Sequence, residues 1–275
     1  MRLGISSKEG CEDPVAWAKR LRKIGCGCVV FPVDYTQGEA MIEKYVKAIK
    51  EEDLVIAEVG VWKNVLALDE QEQKKAREYC RGQLRLADKI GANCCVNVAG
   101  AIGEFWAGAY KENFSKTTWK RTVASIQEVI DEVNPQNTYF TIEPMPYMIP
   151  MNPDQYLELI EDVNRDQFAV HMDIFNWITD PTKYFFHEEF MEECFDKLGP
   201  YIKSCHLKDT LLLKEPNCQI KEVKCGEGTI NLEKYVQLAN KYNVEMPMII
   251  EHLKNDKEYL DNLAYVRTRF EKAGT

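Results

Sequence analysis

Short apolar runs alternate with stretches whose apolar residues recur at helical spacing, from one end of the chain to the other. The strand-like runs fall at 3–6, 28–33, 54–59, 94–99, 139–142, 168–173, 202–209 and 248–251. Between them, Trp17, Leu21 and Ile24 mark a first helix, and Met41, Tyr45, Ala48 and Ile49 a second. Ala76, Tyr79, Cys80, Leu84, Ala87 and Ile90 form the third stripe; Trp119, Val123, Ile126, Ile130 and Val133 form the fourth. Helix starts are signalled by Asp13-Pro14, by Asn152-Pro153 and by Asp180-Pro181, the last opening a sixth helix that runs to Leu198. Asn231 caps a seventh helix. Asn255 and Glu258 open an eighth, with Leu260, Leu263, Ala264 and Phe270 along it. Gly25 and Gly91 supply stops. Two longer loops remain, an aromatic one at 100–115 and one at 210–229.

Eight strand–helix units with no linker or low-complexity break predict a single α/β domain over 1–275 built on a parallel sheet. A doubly wound sheet would carry a glycine-rich phosphate turn after its first strand. That turn reads Ser6-Ser7-Lys8-Glu9-Gly10, and no G-x-G-x-x-G follows any strand. The pattern predicts a (β/α)8 TIM barrel, with its active site where the strands end.

Four successive strand-like runs deliver chemistry at those ends. The fifth stops at Glu143, where Pro144 and Pro146 prevent its extension. The sixth ends in Asp173, the seventh carries His206, and the eighth ends in Glu251. Side chains alternate with period two, so Glu143, Asp173, His206 and Glu251 share the inward face with their i−2 neighbours. This places His171 one layer below the four, and Lys208 at the rim. One strand-end carboxylate is more commonly a helix cap or ion-pair partner than a ligand. Four acidic or imidazole groups at successive strand ends, in a chain with only four histidines, point to a metal site. The oxygen-rich set suits Mn²⁺, Mg²⁺ or Co²⁺, and Zn²⁺ is compatible with a histidine among carboxylates. Such an ion polarises a carbonyl, and Lys208 can stabilise the charge that follows proton removal beside it. His187 is expected to be solvated and His252 to lie in a loop. Glu58, Asn97, His171, Asn176 and Trp106 are candidate substrate contacts.

Composition narrows the partners. A net charge of −9 and a pI of about 5.2 argue against nucleic acid. No apolar run approaches a membrane span. The ten cysteines form no C-x-x-C pair, and Cys28, Cys94, Cys95 and Cys205 sit in apolar runs where the thiol acts as a small hydrophobe. The chain runs from Met1 directly into its first strand-like run, so reduced thiols in a cytoplasmic protein are expected.

The segments AEVGVWKN (57–64), TIEPMPYMIP (141–150), AVHMDIFNW (169–177), SCHLKD (204–209) and GEGTI (226–230) carry a family resemblance. The chain resembles the xylose-isomerase-like (β/α)8 superfamily, in its sugar phosphate isomerase/epimerase group, over essentially its whole length. The resemblance implies one divalent metal on Glu143, Asp173, His206 and Glu251, with Glu143 and Glu251 also serving as the acid–base pair. The ketose 3-epimerases of that superfamily carry a glutamate, a histidine and an arginine where this chain has Ile149, Asn176 and Leu212, so their substrate does not transfer. The DNA-repair endonucleases of the superfamily need more metal-binding histidines and a basic face, and are set aside. The chain is also similar to the α subunits of C-glycoside deglycosidases, which eliminate an aromatic aglycone from a 3-oxo sugar and work with a small β-sheet partner subunit. Under the first resemblance a homo-oligomer acting on a sugar is expected. Under the second, the expectation is a carbon–carbon lyase in a hetero-oligomer. A sugar-binding protein without catalysis is a third reading.

Overall fold

The computed structural model describes residues 1–273; residues 274 and 275 and the side chains of Phe270, Lys272 and Ala273 lie outside the description. Eight strands form one all-parallel sheet: β1 (Arg2–Ile5), β2 (Cys28–Val30), β3 (Val55–Gly60), β4 (Cys94–Asn97), β5 (Tyr139–Ile142), β6 (Phe168–Met172), β7 (Ile202–Leu207) and β10 (Pro247–Ile250). They follow one another in space as β1-β10-β7-β6-β5-β4-β3-β2. The ring is nearly closed where β1 meets β2, and Gly27 N–H donates to Leu3 O across the seam at 2.7 Å. Gly4 permits that approach: a Cβ there would fall 2.4 Å from Cys28 O. This is the expected TIM barrel.

The outer helices are α1 (Pro14–Ile24), α2 (Glu39–Glu51), α3 (Glu70–Ile90), α4 (Lys116–Val133), α5 (Pro153–Val163), α6 (Pro181–Phe185), α7 (His187–Leu198), α8 (Leu232–Tyr242) and α9 (Asp256–Ala273). Four of these starts are set by caps read from the sequence. Asp13 accepts from Val15 and Ala16 N–H, Asn152 from Gln155, Asp180 from Lys183 and Asn231 from Lys234. The apolar stripes of these helices pack on the outward strand residues as one large core. No helix among the described residues is long and apolar enough to cross a membrane.

Three expectations need correction. The sixth helix is two, α6 and α7, separated at Phe186. The loop at 210–229 contains an antiparallel hairpin, β8 (Asp209–Leu212) with β9 (Ile220–Val223), which follows β7 directly. His187 is half-buried, with Nδ1 2.9 Å from Tyr184 O and Nε2 accepting from Asn231 N–H.

Two bulges adjust the inner face. Pairing between β2 and β3 shifts from Val29–Ile56 to Val30–Glu58, leaving Ala57 as the extra residue. Ala57 packs inside the barrel with Cys28 and Ile249, and Glu58 beside it also faces inward, toward His206. A second shift falls between β6 and β7, where His171 pairs with Ser204 and Lys203 is skipped.

Candidate metal centre

Glu143, Asp173, His206 and Glu251 are delivered by the C-terminal ends of four adjacent strands, β5, β6, β7 and β10. Their ligand atoms all lie within 4.8 Å of one another. His206 Nδ1 sits at the middle of the group, 3.1 Å from Glu251 Oε2, 3.2 Å from Glu143 Oε1 and 3.7 Å from Asp173 Oδ2. The opposite nitrogen, Nε2, lies 3.3 Å from Glu58 Oε1. Glu58, His171 and His206 form a second close group through that face. Below it, Ser204 Oγ is 2.6 Å from His171 Nδ1 and donates to Glu58 Oε2 at 3.3 Å.

The electrostatics fit a bound cation. Four carboxyl groups (Glu58, Glu143, Asp173 and Glu251) are buried together against one lysine and two imidazoles, His171 and His206. Uncompensated negative charge in a low-dielectric interior costs several kcal/mol, and a divalent ion would cancel most of it. Burial opposes ionisation of Glu251, yet His206 and Lys208 together hold its pKa well below the ordinary glutamate value. Asp173 and Glu58 are likewise desolvated and still lowered, Asp173 chiefly by Lys208 and Glu58 by His206 and His171. Burial disfavours the imidazolium of His206, but Glu251, Glu143 and Glu58 raise its pKa well above the usual range. His171 goes the other way: burial and the neighbouring His206 lower its pKa.

Lys208 does not stand at the rim. It is buried, with Nζ 2.6 Å from Glu251 Oε1 and 2.7 Å from Asp173 Oδ2. β7 ends at Leu207 and the chain turns into the β8–β9 hairpin, which covers the lysine and brings Glu222 Oε2 to 3.4 Å of it. Glu222 also reaches His252, an exposed loop residue as expected, at 2.9 Å. The root of the hairpin is tied down by Asp209, whose carboxylate accepts from the backbone N–H groups of Thr210, Gly226, Gly228 and Ile230.

A cavity of about 930 Å³ opens above the cluster, with Glu58, Glu143, His206, Glu222 and Glu251 among its polar lining. Phe31, Trp62, Trp106, Met145 and Tyr147 form an apolar flank. Of the candidate substrate contacts, Glu58, Asn176 and Trp106 line this cavity. Asn176 also braces the cluster, donating from Nδ2 to Asp173 Oδ2 at 2.9 Å. Asn97 and His171 do not line it; both are fully buried, and the Asn97 side-chain Oδ1 accepts from Lys63 N–H.

Sequence reasoning missed two residues. Trp62 donates its indole N–H to Glu143 Oε2 at 2.7 Å. The nearby Gly60 was the available signal, since a Cβ there would fall 1.8 Å from the Trp62 ring. Glu222 had none, because the hairpin that carries it lacks a clear strand pattern.

All ten cysteines are free, and burial pushes the Cys94 and Cys205 thiols up to about 12. These strand cysteines are packing residues.

No curated protein matches this chain by sequence. Solved structures share its fold at low identity. A D-psicose 3-epimerase from Clostridium cellulolyticum H10, solved with D-tagatose, superposes with a TM-score of 0.73 at 13% identity, covering 99% of each chain. The 3-keto-D-glucoside 4-epimerase of E. coli gives 0.71 at 16%, over 98% of this chain and 99% of that one. A xylose isomerase-like TIM barrel protein from Mycobacterium smegmatis, in complex with magnesium, gives 0.69 at 17%, over 94% and 90%. A family profile described as xylose isomerase-like TIM barrel matches residues 18–269. The chain therefore belongs to the xylose isomerase-like TIM-barrel family.

Proposed function

We propose that this chain, as one barrel domain over 1–275, is a divalent-metal-dependent sugar isomerase or epimerase that moves a proton next to a carbonyl. The observation that carries this reading is the convergence of Glu143, Asp173, His206 and Glu251 within 4.8 Å beneath an open cavity. Its fold neighbours include epimerases of free ketoses and of a keto-glucoside, and one is described with magnesium. A hard ion held by the four residues, Mn²⁺ foremost with Mg²⁺, Co²⁺ or Zn²⁺ as alternatives, would polarise a substrate carbonyl and the hydroxyl beside it.

The chain's own residues supply the proton chemistry. Glu143 and Glu251 reach the cavity from β5 and β10, strands separated in the ring by β6 and β7. One removes the C–H proton and the other returns a proton to the opposite face or to the adjacent carbon. Trp62 orients Glu143 through Oε2, leaving Oε1 on the cluster side. In this reading Lys208, buried and ion-paired to Glu251 and Asp173, would add positive charge beside the cluster that offsets negative charge developing on the substrate.

The cavity favours a second reading of the substrate. Its volume is near the top of the roughly 300–1,000 Å³ range of sites for drug-sized ligands, well beyond a lone monosaccharide. The flank of Phe31, Trp62, Trp106 and Met145 suits an apolar group attached to the sugar. This supports a glycoside substrate, including the lyase alternative acting on a 3-oxo C-glycoside. Phe105, Trp106, Phe114 and Tyr147 are exposed on the 100–115 loop and the segment after β5. They are candidates for a subunit contact, with a second copy or with a small β-sheet partner.

The test is metal analysis combined with hydrogen exchange in D₂O on ketoses, 3-oxo glucosides and a 3-oxo C-glycoside. Exchange or conversion by metal-loaded protein, lost on chelation, is expected. Metal-loaded protein that exchanges no substrate hydrogen would leave the sugar-binding reading in its place.

A further inference from the structure

We infer that Glu58 is a positioning residue that fixes the ring of His206 and selects which of its nitrogens faces the metal centre. The inference rests on the metal reading proposed above, and its basis is the geometry beneath the cluster.

The backbone of β3 is shaped for this contact. Regular alternation would turn Glu58 away from the inner face that Ala57 occupies, toward the outer helices. The bulge at Ala57 lets both point inward. A bulge gives up regular pairing locally and re-aims a side chain, and such features recur beside active sites. Here it delivers a carboxylate that is completely buried.

That carboxylate has a restricted choice of partners. Glu58 Oε1 lies 3.3 Å from His206 Nε2, and Oε2 lies 3.3 Å from both Ser204 Oγ and His171 Nδ1. An ionised carboxylate only accepts hydrogen bonds. Nε2 of His206 must therefore carry a hydrogen to satisfy it. The neutral ring then presents its lone pair from Nδ1, the atom that faces Glu143, Asp173 and Glu251. The ring of His171 stands edge-on to that of His206, with centroids 4.1 Å apart, and limits its rotation. Carboxylate–histidine pairs of this kind orient a ligating imidazole and raise its basicity.

The experiment uses the full chain labelled with ¹⁵N-histidine, which has only four rings to assign, with His206→Ala identifying the signal. Long-range ¹H–¹⁵N spectra of the Mg²⁺- or Zn²⁺-loaded protein should show His206 protonated at Nε2 and metal-shifted at Nδ1. Glu58→Gln can offer an amide N–H to Nε2, which admits the other tautomer. Its Mn²⁺ dissociation constant should rise about 10–100-fold, with a mixed tautomer signal. Ser204→Ala, which removes the hydroxyl linking Glu58 to His171 but keeps the carboxylate, should give a smaller rise in the same direction. Glu58→Gln with wild-type Mn²⁺ affinity and an unchanged tautomer overturns the inference while leaving the metal reading intact. Ligation of wild type through Nε2 overturns it without any variant, so a failure of Glu58→Gln to fold does not protect it. A wild type that takes up none of these ions overturns the metal reading and this inference together.

Discussion

The indole N–H of Trp62 donates to Glu143 Oε2 at 2.7 Å, from a backbone held at φ 42°. A bulky residue rarely adopts that left-handed conformation, and side chains held there commonly serve a site. Trp62→Phe keeps the ring and removes the donor. A hydrogen bond to a charged group contributes roughly 1.5–3 kcal/mol, so its loss should lower the melting temperature by a few degrees, and with Glu143 no longer oriented turnover of the folded variant should fall about tenfold or more. Gly60→Ala should have a similar effect by displacing the ring. Wild-type turnover in both folded variants would remove Trp62 from the mechanism.

Glu143→Gln and Glu251→Gln retain shape and partial ligation but lose the base. Each should lower turnover about 10²-fold or more in metal-loaded protein. One of them should still exchange substrate hydrogen with D₂O, because the remaining glutamate can perform the first proton removal. Near-wild-type turnover and exchange in both variants would move the base to Lys208.

His206→Ala should lose stoichiometric metal while the barrel stays folded. Adding Mn²⁺ to chelator-treated wild type at 100 times its dissociation constant stabilises by about 2.7 kcal/mol. For a chain of this size that raises the melting temperature by about 5 °C or more, and His206→Ala should show no such rise. Elemental analysis and paired melting curves check both statements.

Asp256 accepts from Ser7 Oγ at 2.9 Å and pairs with Arg20, tying the start of α9 to α1 and the turn after β1. Partial burial raises its pKa, but Arg20 and Ser7 outweigh burial and hold it below the usual aspartate value. A depressed folded-state pKa contributes stability above the unfolded value. That stability is lost as pH falls through the folded one. Asp256→Asn should therefore destabilise at pH 7 by about 1 kcal/mol, the upper end for a surface pair and fitting one that is partly buried. The difference from wild type should shrink toward pH 3. Urea unfolding of both proteins at the two pH values measures it.

The barrel was legible in the sequence because its strands are apolar and most of its helices carry a side-chain cap. The four cluster residues were legible because alternation holds at the C-terminal ends of β5, β6, β7 and β10; the shift at Lys203 in β7 falls before Ser204 and His206. Glu58 was harder to place, since counting in twos along β3 fails at Ala57. Lys208 was misplaced for a related reason. Alternation gives its face but not the covering hairpin, and the segment QIKEVK (219–224) has no apolar face to announce a strand. The division of α6 from α7 was hidden because Tyr184, Phe190 and Met191 are buried across the break.

The clamp at Asp209 has a consequence for how this protein can vary. Four backbone N–H groups from both ends of the 210–230 segment converge on one carboxylate. The outer turn at 213–219 is held only through the hairpin above that knot. Its sequence and length can change while His206 and Lys208 keep their register. The turn is a natural graft point, where a new loop would leave the cluster of Glu143, Asp173, His206 and Glu251 in place.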